Sequence, residues 1–328
     1  MMSDVMPITG SADEGMTVMT SRRIWTVAAV SSAMLVLAAC SSGDGGSETV
    51  SQNDSSAAPV ETVDFIAADS GPLRILLTND DGWDAPGIAA MYDALVEAGH
   101  DVRLVGPAEN YSGVSAAIDF VGELDVVNPT DDENVYSVST TPAGTVLFGV
   151  EEVFGGDRPD LVISGSNVGA NTGFDTNFSG TIGAAVVGSG FFGIPSIAVS
   201  TATERGAEDD AAYAETAQVV VDLIDTGMPE LNAGAILNIN YPLLTDIDEP
   251  KGVRYAVEAD QSVASFDYER SGDEEFTIVP GRADIDPAAD SDIALLADGY
   301  VTVTVLTTDR SVAEDDVVSV GALVDALN

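Results

Sequence analysis

The sequence predicts an α/β protein: a doubly wound, mostly parallel sheet with a C-terminal β-hairpin or arm extension. Three observations lead there. From Leu73 to about residue 243, short runs rich in Val, Ile, Leu and Ala alternate with stretches of helical periodicity, the pattern of strands buried on both faces between crossover helices. Several of these runs end in loops rich in Gly, Asn, Asp or Ser: NDDG at 79–82, GPAENYSG at 106–113 and GSN at 165–167. After Pro242 helical periodicity gives way to strand-like segments separated by acidic, Gly- and Pro-bearing stretches such as 282–292.

In chain order, Arg74–Thr78 reads as a buried strand, and Ile88–Ala98 as a helix with apolar residues at helical spacing. A second strand, Val102–Val105, leads into the loop Gly106–Gly113; weaker extended segments follow at Ala116–Val127 and Val135–Ser139. Helix Gly144–Val153, strand Leu161–Ser164, the glycine-rich loop Val168–Gly180, helix Thr181–Ser189 and strand Ser196–Ser200 continue the alternation. Helix Ala211–Ile224 and strand Ala235–Ile239 complete it. Beyond residue 243, Gly252–Val257, Phe266–Arg270, Phe276–Val279 and Tyr300–Leu306 read as strands or hairpins, with no helix expected before Val312–Leu327. The core is therefore placed at 71–243 and the arm region, with a last strand and helix, at 244–328.

The 328 residues are 45% hydrophobic but only 6% aromatic, so aliphatic side chains must build the core. Fifty-five acidic residues against 11 basic ones give a formal charge of −44. That field repels nucleic acid duplexes and anionic lipid, and a site for a phosphate ester would need a bound cation to reverse the local sign. Adaptation of the whole surface to salty surroundings explains most of the acidity, since at 1 M salt a Debye length of about 3 Å hides it.

Cys40 is the sole cysteine, which rules out an intrachain disulfide and a thiolate metal cluster. Its surroundings read as an export signal: Arg22 and Arg23, an apolar run from Ile24 to Ala39, then Leu37-Ala38-Ala39-Cys40, which resembles a bacterial lipobox. Residues 1–40 are thus expected to be a signal peptide with lipidation at Cys40, and 41–70, rich in Ser, Gly and Asp, a flexible linker. The expected location is outside the cytoplasm, lipid-anchored to a bacterial membrane. His100, the only histidine, falls in the turn between a helix and a strand, which suits a structural role and leaves no Ser-His-Asp apparatus or histidine-ligated zinc.

Asp80 and Asp81 leave the first strand together, and an isolated Asp-Asp is commonly no more than an acidic turn. Two further strands, however, deliver Ser112 and Asn167 to the same carboxyl edge, where ligands bind in open α/β sheets. Two carboxylates, a hydroxyl and an amide carbonyl form an all-oxygen set suited to one hard divalent cation, Mg²⁺, Mn²⁺ or Ca²⁺. Ser179-Gly180-Thr181 opens a helix of small residues, either as an ordinary cap or as an anion cradle beside the cation.

Together NDDG-x-x-APGI, the GPxxNxSG loop, SGxNxGxN at Ser164–Asn171 and SGT-x-x-AA at Ser179–Ala185 resemble the SurE family of metal-dependent 5′/3′-nucleotidases, over roughly Leu73 to Leu306. The resemblance implies a Rossmann-like core with Asp80, Asp81, Ser112 and Asn167 on the metal, the two aspartates in catalytic roles, and Asn79, Asn171, Ser179, Gly180 and Thr181 lining the phosphate site. It also implies a nucleoside monophosphate substrate and a homodimer or homotetramer held by extended arms. The rival expectation is a tethered lipoprotein that binds nucleotide or phosphate without turnover. An adhesion module would show a DxSxS loop, and none is present.

Overall fold

A computed structural model describes residues 62–63, 66, 70–204, 211–228, 231–245 and 247–311. The expected leader with Cys40, most of the linker and the helix at 312–327 lie outside the described residues. The elements in order are β1 (Thr62–Val63), β2 (Arg74–Thr78), α1 (Pro86–Glu97), β3 (Asp101–Pro107), β4 (Val126–Val127), β5 (Val135–Val138) and α2 (Pro142–Phe148). Next come β6 (Leu161–Val168), α3 (Gly180–Val186), β7 (Ser196–Thr201), α4 (Tyr213–Thr226), β8 (Leu231–Asn232) and β9 (Ala235–Tyr241). The last are β10 (Val253–Tyr255), β11 (Ala264–Arg270), β12 (Phe276–Arg282), α5 (Asp292–Ala297) and β13 (Val301–Thr307).

Nine strands form one sheet in the order β10-β13-β9-β7-β6-β2-β3-β5-β4. Only β13–β9 and β4–β5 pair antiparallel within it. The central strand β2 shows why: Ile75, Leu76 and Leu77 are all fully buried. Ile75 and Leu77 point to the side covered by α1 and α4, among Ile88, Met91, Leu95, Val220 and Ile224. Leu76 points to the other side, among Val105 of β3 and Val146 and Ala184 of the α2–α3 layer. A strand with helices on both faces has no solvent side, hence its unbroken apolar run. Parallel pairing of β2 with β3 and β6 then sets three carboxyl ends at one edge.

Several expectations are refined. The helix expected at Gly144–Val153 begins at Pro142, where Thr141 Oγ1 caps the Gly144 amide at 3.1 Å, and past Phe148 it continues as a π-helical turn. The helix expected to start at Thr181 starts at Gly180 and also ends in a π-helical turn, at Val187–Phe191. Of the weak extended region Ala116–Val127 only β4 is strand. β6 runs on through Gly165-Ser166-Asn167, expected as loop, with a register shift between Ser164 and Asn167.

A short helix that was not expected, α5, follows Ser291, whose hydroxyl caps the Ala294 amide at 3.2 Å. Six residues are too few to print a helical period on an acidic stretch. β13 returns into the main sheet beside β9, while β11 and β12 form the expected separate hairpin. Part of the span read as linker is docked: β1 pairs with β8, and the Met228 amide donates to Ile66 O at 2.7 Å.

Candidate active site

Asn79, Asp80 and Asp81 follow β2 directly, in a turn closed by Asn79 Nδ2 donating to Gly82 O at 2.8 Å. The Tyr111 amide donates to Asp80 O at 2.7 Å, which ties the loop after β3 to this turn. The Asp80 side chain is buried at 2% exposure, and its Oδ1 accepts from Thr181 Oγ1 at 2.7 Å. The backbone at Gly180 and Thr181 also favours the charged form of this carboxylate. Only glycine fits at position 180, because a Cβ there would stand 2.8 Å from Asp80 Cβ and 2.9 Å from Oδ2. The opening of α3 therefore closes on the carboxylate itself, by the same amide and dipole preference that draws anions to helix starts.

Asp81 is held more loosely. Its Oδ2 accepts from the Val168 amide at 2.9 Å and its Oδ1 from Asn110 Nδ2 at 3.3 Å. Burial lifts the Asp80 carboxyl above its usual range despite those hydrogen bonds. Burial, with the neighbouring Asp80 charge adding to it, pushes Asp81 up to about 6. The three ion pairs among the described residues are Arg74–Asp160, Arg103–Asp101 and Lys251–Asp298, so no basic side chain pairs with either aspartate.

Asn167 Nδ2 donates to Val168 O at 3.2 Å and Gly169 O at 2.7 Å, leaving its Oδ1 as the free end of the amide. Asn79 Oδ1 is buried with no hydrogen-bond partner among the described residues. Among those residues no cluster of three His, Cys, Asp or Glu side chains exists. Two adjacent carboxylates without a counter-ion, beside orphaned amide oxygens, fit a hard divalent cation and disfavour a soft one.

The model of the family described as survival protein SurE matches residues 75–265, which include every residue named so far at this site. The 5′-nucleotidase SurE of Methylobacterium radiotolerans is 34% identical over 245 residues, 72% of this chain and 94% of that protein. This chain belongs to the SurE family. The 5′-nucleotidase SurE 1 of Burkholderia lata is 34% identical over 244 residues, 73% of this chain and 92% of that protein. The crystal structure of the SurE protein from Aquifex aeolicus shares the fold with a TM-score of 0.64 at 30% identity, covering 77% of this chain and 99% of that one.

Within this SurE chain, the remaining residues singled out from the sequence fall as follows. Ser112 sits on an exposed turn, its amide donating to Asn110 Oδ1 at 2.9 Å. Ser179 caps α3, its Oγ accepting from the Ile182 amide at 3.2 Å, which leaves the hydroxyl proton free to donate. Asn171 Nδ2 donates to Ser200 Oγ at 2.9 Å and Thr181 Oγ1 at 3.3 Å, so it joins the wall beside Asp80. His100 lies at the opposite end of β2, its Nδ1 accepting from the Leu73 amide at 3.2 Å.

Three residues escaped the sequence reading, Ser200, Asn238 and Asn240, which hold Asn171; Asn110, which holds Asp81, stands in the GPxxNxSG motif but had no role assigned to it. Asn240 Oδ1 accepts from the Asn171 amide at 2.8 Å while its Nδ2 donates to Asn171 O at 3.0 Å. Asn238 Nδ2 adds a bond of 2.8 Å to that same carbonyl. Two asparagines in the strand LNINY were the available signal, because Asn is depleted in strands.

The raised Asp81 pKa gives a linkage of definite sign. The proton is bound more tightly in the folded state, so this contribution to stability is complete below about pH 4 and is lost as pH rises through about 6. Chemical denaturation of metal-free wild type and Asp81→Asn should show the wild type gaining on the variant by on the order of 2 kcal/mol between pH 8 and pH 4. A pH-independent difference would contradict the assignment.

Proposed function

We propose that this protein hydrolyses nucleoside monophosphates to nucleoside and phosphate, with one divalent cation held by Asp80, Asp81, Asn167 Oδ1 and Ser112 Oγ. The observation that carries the proposal is the adjacent Asp80-Asp81 pair, the first buried and the second half-buried, without a basic partner among the described residues, in a chain related to proteins named 5′-nucleotidases. When bound, the cation supplies the electrophilic charge that draws in the phosphoryl oxygens against the field of an acidic protein.

The chain's own residues divide the remaining work. Asp80, fixed by the Thr181 hydroxyl and packed against Gly180 at the start of α3, is the rigid ligand. Asp81 Oδ1, restrained only by the long bond from Asn110, is the oxygen able to orient an attacking water and take its proton. The Ser179 hydroxyl and the second Asn79 amide hydrogen are the donors available to equatorial phosphoryl oxygens. Asn171, with both amide hydrogens already donated to Ser200 and Thr181, shapes the wall of the phosphate site.

The test is hydrolysis of a nucleoside monophosphate panel with EDTA, Mn²⁺ or Mg²⁺. Metal-restored turnover is expected in the wild type, and kcat lower by about a hundredfold or more in Asp80→Asn and Asp81→Asn. A folded wild type that binds nucleotide and turns over nothing under any metal would replace the enzyme with the tethered receptor.

Association through the arm is part of the proposal. On one face of the hairpin Phe266 stands opposite Pro280, Tyr268 opposite Ile278 and Arg270 opposite Phe276. Phe266, Tyr268, Phe276 and Ile278 are each more than half exposed. A two-stranded ribbon is marginal by itself and gains stability when such a face is covered, here by a second copy. Sedimentation should show a homodimer or homotetramer that Tyr268→Glu weakens; a concentration-independent monomer would sink this part.

The chain is further proposed to act outside the cytoplasm, anchored through Cys40, on the strength of the Leu37–Cys40 motif. Cell fractionation should find the wild type with membranes and Cys40→Ser released from them; a cytosolic wild type would end that reading.

A further inference from the structure

Between Asn171 and Ser179, both at the phosphate end of the site, runs a loop most of whose polar contacts to other segments go to the base of the hairpin and the start of α5, the Ser115 amide donating to Phe178 O at 2.9 Å being the exception. The Gly173 amide donates to Asp292 Oδ2 at 2.8 Å, while Oδ1 of this fully buried carboxylate accepts from the amides of Ala259 at 3.0 Å and Ile293 at 2.8 Å. Asp175 Oδ2 accepts from the amides of Val263 at 2.9 Å and Ala264 at 3.0 Å, and its Oδ1 accepts from Ser262 Oγ. The Phe174 amide donates to Gln261 O at 3.0 Å, and Thr176 Oγ1 to Glu258 Oε1 at 2.6 Å. The two surfaces meet without a gap, since a Cβ on Gly173 would lie 2.5 Å from Gln261 O and 2.8 Å from Ile293 Cδ1.

Supporting the hairpin alone would not require this arrangement. Asp175 and Asp292 bridge segments 87 to 119 residues apart, and on the loop side they grip the stretch that ends in the Ser179 cap and the Gly180 contact with Asp80. At the other end of the loop, Asn171 is fixed by Asn238 and Asn240. Ser179 is restrained from the helix side by the Thr181 bond to Asp80 and from the loop side by the Ser115 amide donating to Phe178 O at 2.9 Å. The attachment of residues 173–176 to the arm adds the restraint that fixes the rest of the loop leading into it.

We infer that Asp175 and Asp292 are positioning residues for the phosphate end of the site: they make the loop 172–178 and the hairpin base one rigid piece, so that the arm sets the place of Ser179. The inference rests on the reading of Ser179 to Thr181 as the phosphate end. Neither aspartate touches substrate. Release of the clamp should weaken phosphate binding while leaving the cation's carboxylates, which come from β2, in place.

The experiment compares full-length wild type, Asp175→Ala and Asp175→Asn. Asparagine keeps an acceptor for the Val263 and Ala264 amides and donates to Ser262, so it should rescue. Asp292→Asn serves as a second, independent variant, because its carboxylate is the more deeply built in. For Asp175→Ala we expect KM for a nucleoside monophosphate and the Kd for inorganic phosphate to rise about tenfold, kcat to change less than about threefold, and Mn²⁺ affinity by calorimetry to hold. Hydrogen exchange should show the Val263 and Ala264 amides losing protection in the alanine variant only.

Loss of that protection with KM and phosphate affinity unchanged would overturn the inference. So would a parallel loss of Mn²⁺ affinity and kcat, the mark of general loosening. A wild type that binds phosphate but turns nothing over refutes the hydrolase while the phosphate and exchange readouts still decide the clamp; a wild type that does not bind phosphate refutes both.

Discussion

The structure turns on two neighbouring carboxylates, one buried and one half-buried, with which no basic side chain among the described residues pairs. Asp80 and Asp81 emerge from a strand enclosed on both faces, Asp80 buried and Asp81 half-buried. The fold holds them by hydrogen bonds from three directions: the start of α3 on Asp80, the end of β6 on Asp81, and Asn110 after β3. Each donor stabilises the charged form, and burial nonetheless wins, lifting both carboxyls above their usual range. An unpaired buried charge is among the costliest features a fold can carry. Its persistence is understandable when a cation completes the pair.

Charge explains why the site has this composition. With 55 acidic residues against 11 basic ones, the molecule repels phosphate monoesters. Arginine clamps, the common solution for phosphate recognition, are absent from the contacts described at the site; in the proposed function neutral amides, hydroxyls and a cation held by the carboxylates would take their place. Looser restraint of Asp81 than of Asp80 is what the proposal uses to divide the work, one to ligate rigidly and one to ligate and handle a proton.

Much of this was legible in the sequence, for reasons that particular residues make plain. Arg74–Thr78 was readable because a doubly covered strand must be apolar throughout, and the abrupt change to Asn-Asp-Asp-Gly marks its carboxyl end. Asn238 and Asn240 were not found, and Asn110 stood in its motif without a role, because their roles depend on which strands lie side by side, and a parallel order is not written in local periodicity. α5 was missed for want of length, and the continuation of β6 through Asn167 because Gly-Ser-Asn imitates a loop. The clamp at Asp175 and Asp292 joins residues too distant in sequence for any motif to show.

Crystals of the protein soaked in Mn²⁺ and measured near the manganese absorption edge test the central claim most directly. The account predicts one strong anomalous peak within ligating distance of both the Asp80 and Asp81 carboxylates, with Asn167 Oδ1 and Ser112 Oγ facing it. Manganese bound only to the acidic surface, with nothing between Asp80 and Asp81, would contradict it.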